Sequence, residues 1–292
     1  MTDVFMSGST GTLGKIILPK LQKKDFDVIP INLRIPWGSQ AKLSNLNNSF
    51  FLHLASQNST MRSRDIDKEL NLLASALDVA ERNKIQHFIF FSTSKLYPAT
   101  ADFNLTQEDS NIFATEPYVI GKNKCESLLE NKLDCFKSIT ILRLAPVLVK
   151  SKSSNMNTLF KICELLPIIP MFPTGNKNRR SFLSCINLFN FLTMLLRTDP
   201  KGFQVINLCD NQPVSTNALI ESFLKRYRPK AIRLPIPFFI ELLMLALPVI
   251  GKKLQSMFMD NVLANENIKS SFPDFELLDT EKVMEFKGLG DD

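Results

Sequence analysis

Tyr118 and Lys122 stand four residues apart in EPYVIGKNKCE, a spacing that puts both side chains on one face of a helix. A phenol with a reference pKa of about 10 is a poor acid or base near neutrality, and a cation one turn away stabilises the phenolate and brings proton transfer within reach. Taken alone, the pair reads equally as a solvated helix face. A second candidate is FIFFSTSKLY, an apolar run that ends in Ser92, Thr93 and Ser94. Hydroxyls at the carboxyl end of a buried strand can hydrogen-bond an oxygen that alternates between carbonyl and alcohol, or simply close the strand in a turn. The third is SGSTGTLG, where Gly8, Gly11 and Gly14 permit a tight turn. There the backbone N–H groups around Ser9, Thr10, Thr12 and Leu13 can approach a pyrophosphate at a helix N-terminus.

For these groups to act together, the elements that carry them must converge. Val4 to Met6 reads as a short strand, the glycine stretch as a turn and Leu13 to Lys23 as a helix. Val28 to Asn32, Phe50 to Ala55, Phe88 to Ser92 and Thr140 to Leu144 read as further strands. Asp67 to Asn83, with Leu70, Leu73, Leu77 and Ala80 at helical intervals, is the helix before the fourth strand. Strands of nearly continuous apolar character alternating with helices predict an α/β fold, a doubly wound parallel sheet covered on both faces. The pattern turns irregular and proline-rich after Leu148, and Val205 to Leu208 reads as a returning strand. We therefore expect a dinucleotide-binding sheet domain over 1–148, joined by 183–210. A smaller, mostly helical substrate lobe over 149–182 and 211–292 should complete a cleft.

Composition narrows the function. The chain of 292 residues is 45% apolar and 22% charged, ordinary for a globular protein with a large core. Five scattered cysteines without a CxxC pair, and only two histidines, argue against a metal site and for a reducing, cytoplasmic setting. The N-terminus MTDVFMSGSTG lacks the basic start and apolar core of a signal peptide. The net charge of +6 is spread along the chain, which disfavours nucleic acid and suits an anionic small molecule. Leu234 to Gly251 is the most apolar stretch, but Pro237, Glu241 and Pro248 interrupt it. It is read as a buried helix rather than as a membrane-surface contact, and no stable membrane insertion is expected.

In this order, the three segments resemble the extended short-chain dehydrogenase/reductase family, also called the NAD-dependent epimerase/dehydratase family, over nearly the whole chain. The resemblance implies a Rossmann-like fold, an NAD(P) cofactor and a catalytic triad of Thr93, Tyr118 and Lys122. Tyr118 would be the acid/base, Lys122 would lower its pKa and hold the ribose, and Thr93, flanked by Ser94, would orient the substrate oxygen. FLHLASQ is similar to the family's fourth-strand motif, which would bring Leu54, Ala55 and Ser56 to the cofactor. Asn71 falls where the family keeps a structural asparagine. NKNRRSFLSCINL resembles the segment of bacterial nucleotide-sugar epimerases and 4-ketoreductases whose arginine meets the substrate diphosphate, here Arg180. The planar fork of an arginine suits that group. A homodimer is a further implication of the resemblance.

Departures from the family pattern sharpen the reading. Where the family ends its second strand with an aspartate, this chain has Asn32, followed by Leu33 and Arg34. Loss of the carboxylate beside a gained cation favours NADP over NAD. The segment before Phe51 is short for the family, leaving a helix or strand there in question, and Pro146 and Val149 replace a substrate-holding asparagine and glycine. Ser94 and Lys95 stand where nucleotide-sugar dehydratases of the family carry an Asp-Glu pair, so elimination of water is disfavoured. Two close readings remain for a UDP-linked nucleotide sugar. One is a 4-ketoreductase, favoured by the Asn32 and Arg34 pattern, and the other a 4-epimerase that retains NAD. A catalytically silent dinucleotide sensor is a third reading, opposed by survival of the Tyr118 and Lys122 pair. Reduction of a steroid-like ketone is a fourth, opposed by Arg180.

Overall fold

The computed structural model describes residues 2–35, 48–57, 61–98, 105–149, 155–248, 251, 254 and 257–286. The chain runs β1 (Thr2–Ser7), α1 (Thr12–Gln22), β2 (Phe26–Ile31), β3 (Ser49–His53), α2 (Ile66–Arg82), β4 (His87–Thr93), β5 (Leu105–Thr106), α3 (Pro117–Glu130), β6 (Ser138–Leu144) and β7 (Val147–Leu148). It continues with α4 (Asn155–Leu165), β8 (Ile168–Met171), α5 (Thr174–Lys177), β9 (Leu183–Ser184), α6 (Cys185–Leu195) and β10 (Gly202–Leu208). The last stretch forms α7 (Thr216–Tyr227), β11 (Ile232–Pro235), α8 (Phe238–Leu245), β12 (Val262–Leu263), α9 (Glu266–Ser271) and α10 (Thr280–Phe286). Two compact units result, one of Met1–Tyr97, Asn111–Leu144 and Leu188–Asn207, the other of Pro98–Ser110, Ala145–Asn187 and Leu208–Asp292.

The first unit is built on a six-stranded sheet in the order β10-β6-β4-β3-β1-β2. Parallel registers pair Val4 with Val28, Phe5 with Phe51, Leu52 with Ile89 and Phe90 with Ile141. The central strands β3, β4 and β6 are buried at every position, which is why they read as unbroken apolar runs. Edge strand β2 alternates in burial and tolerates Pro30 opposite Met6, as an edge can, because a proline there costs no ladder bond that a neighbour needs. Phe51 and Phe88 stack at 5.3 Å between centroids, and Phe88 meets Phe136 at 5.5 Å. Helix α2 covers this core with Leu73, Ala76, Leu77 and Ala80. From β1 the chain passes to β2 on one side and returns to β3 on the other. The carboxyl ends of β1 and β3 therefore flank a topological switch point, where open α/β sheets bind ligands. Residues 36–47, which hold most of the segment where a helix or strand was in question, lie outside the described residues.

The second unit has its own core, in which Phe160 and Phe223 stack at 4.7 Å and Leu148, Phe182, Leu219 and Met284 are buried. Ser215 caps α7 by accepting a hydrogen bond from the Ala218 N–H at 3.1 Å. β5 pairs with β12, Leu105 opposite Val262. That long-range pairing, which local patterning does not announce, ties Pro98–Ser110 to this unit. The expectation for Leu234 to Gly251 requires correction. Leu234 and Pro235 belong to β11, and only Phe238–Leu245 is assigned to α8. The outer face of α8 is exposed, with Phe239 at 65% and Leu243 at 67% of their full accessibility. Glu241 is its only buried residue. A run of apolar residues marks a helix but not the direction in which it faces.

Among the described residues, no helix is long and apolar enough to cross a membrane. The five cysteines are free thiols.

Candidate active site

The glycine turn closes on itself without room for side chains. Gly8 has φ +75°, and a Cβ there would fall 2.5 Å from the Ala55 nitrogen. A Cβ on Gly14 would fall 2.2 Å from the Gly8 carbonyl oxygen. The Gly11 N–H donates to that same oxygen at 2.9 Å, and α1 starts from Gly11 with no acidic residue in its first turn. The amides of Thr12 and Leu13 at the head of α1 are thus offered to an anion with no internal carboxylate competing. Ser9 is half-buried, and Thr10 and Thr12 are exposed. Loop 54–56 lies against this turn, with the Leu54 N–H on the Ser7 carbonyl at 3.3 Å and the Ala55 N–H on Ser7 Oγ at 3.4 Å. Behind it, Ser7 Oγ and His53 Nδ1 are 2.9 Å apart. Burial, with Lys122 adding, pushes the His53 pKa down to about 3, so this imidazole is neutral and serves as a hydrogen-bonding brace.

Pro117, at the first position of α3, starts the helix that carries the pair, since its missing N–H would have had no partner there. Tyr118 is half-buried, whereas Lys122 is 2% exposed. The Lys122 ammonium donates to the Phe91 carbonyl at 2.9 Å, pairs with Glu69 Oε1 at 3.0 Å and lies 4.6 Å from the centre of the Phe90 ring. Burial alone would depress this lysine, but the charges of Glu69, Tyr118 and Cys125 outweigh it and raise its pKa above the ordinary value. An ammonium has three donors. Among the described residues, the Phe91 carbonyl and Glu69 take two of them. Thr93 ends β4, is 8% exposed, and its Oγ1 accepts from the Lys95 N–H at 3.3 Å. Ser94 is buried at 2%.

Two acidic residues that the sequence reading passed over hold this helix. Glu69 on α2 is 1% exposed and accepts from Ser56 Oγ at 2.7 Å and from the Gln57 N–H at 2.6 Å while pairing with Lys122. It therefore ties loop 54–57 to α3. Asn71, given the structural role in the sequence reading, is instead exposed. Two residues along a helix turn about 200°, so Glu69 and Asn71 cannot face the same way. Glu126 pairs with Arg143 of β6 at 2.7 Å and also accepts from Ser92 Oγ. Arg143 in turn donates to Tyr97 Oη at 2.7 Å, and that hydroxyl donates to Asn207 Oδ1 at 2.8 Å. The signal for Glu69 was its place four residues before Leu73, in line with the buried stripe of α2. A carboxylate on such a stripe demands a buried partner.

The remaining candidates lie on other elements. Asn32 is exposed after β2, and its Oδ1 accepts from the Arg34 N–H at 3.1 Å. The bond folds the turn so that the exposed Arg34 follows the strand end directly. Arg180 belongs to the second unit, where its backbone bridges Val214 and Asn261 and its guanidinium donates to the Met257 carbonyl at 3.1 Å. Burial lowers the Arg180 pKa, with Asp260 opposing. Among the described residues, no group of three or more His, Cys, Asp or Glu is arranged to hold a metal ion.

A model of the NAD dependent epimerase/dehydratase family matches residues 4–209. Comparison with curated proteins found no match. Among solved structures, the chain is similar to UDP-N-acetylglucosamine 4-epimerase from Bacillus cereus at 15% identity and a TM-score of 0.72, covering 97% of this chain and 96% of that one. It is similar to UDP-glucose 4-epimerase from Thermotoga maritima at 17% identity and a TM-score of 0.69, covering 99% and 97%. It is also similar to dTDP-4-dehydrorhamnose reductase from Bacillus anthracis, solved with NADP, at 12% identity and a TM-score of 0.68, covering 97% of each.

Proposed function

Because the chain belongs to the NAD dependent epimerase/dehydratase family of enzymes, we propose that it is an NAD(P)-dependent nucleotide-sugar oxidoreductase acting at the sugar C4, a 4-ketoreductase with Tyr118 as acid/base. The observation that carries this reading is the convergence on α3. Tyr118 stands one turn from an ammonium that is fixed by Glu69 and the Phe91 carbonyl.

The residues present fit a dinucleotide. The cradle at Gly8 and Gly14, which a Cβ would fill, would let backbone amides approach a pyrophosphate at the head of α1, with Leu54, Ala55 and Ser56 proposed on its other side. When bound, the nicotinamide supplies hydride to the carbonyl carbon or accepts it back. Lys122 would give its third donor to a ribose hydroxyl and keep a positive charge beside Tyr118. Tyr118 would deliver a proton to the C4 oxygen as the alcohol forms, and Thr93, beside Ser94, would hold that oxygen by a hydrogen bond. Arg180 is assigned to the substrate diphosphate and the exposed Arg34 to a 2′-phosphate of NADP. The substrate assignment to a UDP-linked sugar draws on the epimerases above.

A 4-epimerase is the second reading, because it needs the same residues and two of the similar structures carry that activity. The test incubates the protein with NADPH or NADH and a UDP-linked 4-keto-6-deoxy sugar, with UDP-glucose and UDP-N-acetylglucosamine in parallel. Absorbance loss only with the keto sugar supports the ketoreductase. Isomer formation without net cofactor consumption replaces it with the epimerase, and silence in every mixture with cofactor still bound sinks both. Tyr118→Phe should lower kcat by roughly 10²- to 10⁴-fold while leaving dinucleotide binding intact. Undiminished activity in that variant would remove Tyr118 from the mechanism.

A further inference from the structure

The exposed large apolar side chains of this protein are not scattered. Of the sixteen among the described residues, twelve fall in 162–168 and 232–247, all within the second unit. Pairing of β8 with β11 sets Ile168 against Ile232 and Pro170 against Leu234, so the two stretches form one surface. Its most exposed members are Leu165 at 79%, Leu243 at 67%, Phe239 at 65% and Phe238 at 62%. Scattered single apolar residues on a surface are ordinary, but a joined set of this kind marks an interaction face.

Helix α8 has its polarity reversed relative to a helix that faces water. Its one charged residue, Glu241, points inward, fully buried, and accepts from the Thr174 N–H at 3.2 Å. Met244 and Leu245 pack beside it against Phe172, Leu254 and Phe258. The outer face of the helix is left with phenylalanine, isoleucine and leucine, and no carboxylate stands on it.

Charge selects the partner. Among the described residues from Lys225 to Leu247 the chain carries five cations, Lys225, Arg226, Arg228, Lys230 and Arg233, against the buried Glu241, and the end of α4 adds the exposed Glu164. Lys225 and Arg233 are paired with Glu285 and Glu221, and Arg228 caps the carbonyl end of α4 through Cys163, Glu164 and Leu166. Lys230 is exposed beside β11. A second copy docked face to face would set this excess of cations against its own kind, whereas an anionic lipid surface complements it. At about 1.5 Å per residue, the eight residues of α8 reach only about 12 Å, too short to span a bilayer. They suit a helix lying flat at the headgroup boundary with its apolar side down.

We propose that the face formed by α8, β11 and the end of α4 docks the protein on an anionic membrane surface. Phe238, Phe239, Leu242 and Leu243 enter the acyl boundary, and Lys230 meets the headgroups. The surface is independent of the assigned chemistry, so the proposal stands or falls separately from it.

The test is flotation of the full chain with phosphatidylcholine vesicles, with and without phosphatidylglycerol. The chain should float with the anionic vesicles and be released by high salt. Phe239→Ser with Leu243→Ser should weaken binding roughly tenfold or more, and Lys230→Glu by about fivefold or more. Both variants should keep the wild-type thermal midpoint and dinucleotide binding, because the altered side chains support no core. Three results overturn the proposal: no flotation of the wild-type chain with anionic vesicles, flotation undiminished in the double serine variant, or a dimer that the double variant dissolves without any lipid binding.

Discussion

The chemistry of single residues centres on Lys122, whose charge is useful only while it persists. Its ammonium is buried, and a buried ammonium without a counterion tends to lose its proton. Glu69 prevents this, since its carboxylate at 3.0 Å, together with Tyr118, raises the lysine pKa against burial. Glu69 is therefore a positioning residue that acts through Lys122. In Glu69→Gln the opposing contribution is lost, burial dominates, and the Lys122 pKa falls. The alkaline limb of the kcat/KM profile should move to lower pH, and Glu69→Asp should restore part of the wild-type profile. A Glu69→Gln profile that merely scales down without shifting would reduce Glu69 to a packing role.

At the scale of elements, α3 is held by two buried ion pairs that reach different partners, Glu69 on α2 and Arg143 on β6. The second is the better satisfied, because Glu126 takes two nitrogens of Arg143 as well as Ser92, and Arg143 passes on to Tyr97 and Asn207. Removing one member of such a network leaves the other charged and buried, at a cost of about 3–5 kcal/mol. Glu126→Ala should lower the unfolding free energy by about that amount in urea titration. A loss below about 1 kcal/mol would mean that water reaches Arg143 and that the network does not anchor the helix.

For the whole molecule, the buried histidine gives stability a pH dependence. His53 has an ordinary pKa of 6.5 when unfolded and about 3 when folded. Below pH 6.5 the unfolded chain binds the proton and the folded chain does not, so stability is full above that value and falls as pH drops toward 3. At pH 5 the loss from His53 is about 2 kcal/mol. His87, pushed down to about 4 chiefly by burial, acts in the same direction. The urea midpoint should therefore fall between pH 7.5 and pH 5, and His53→Gln should flatten that decline. An unchanged slope in the variant would mean that His53 titrates normally in the folded protein.

Much of this protein was legible in its linear pattern. The alternation of apolar runs and helical stripes determined the α/β class and the strands β1 to β4, because parallel strands covered on both faces must be apolar throughout. Spacing determined that Tyr118 and Lys122 share a face, and the glycine positions foretold a tight turn, since both follow from local geometry. What depends on rotation about a helix axis or on distant pairing was decided only in three dimensions. Glu69 rather than Asn71 meets Lys122 because helix α2 turns that edge toward α3. Arg143 meets Glu126 because β6 comes to lie beside β4. The apolar stretch around α8 was visible from the start, but a hydrophobic run states how much a segment gains by leaving water, not what covers it. Only the packing of Glu241 inward, with Phe239 and Leu243 left outside, fixed which way that helix faces.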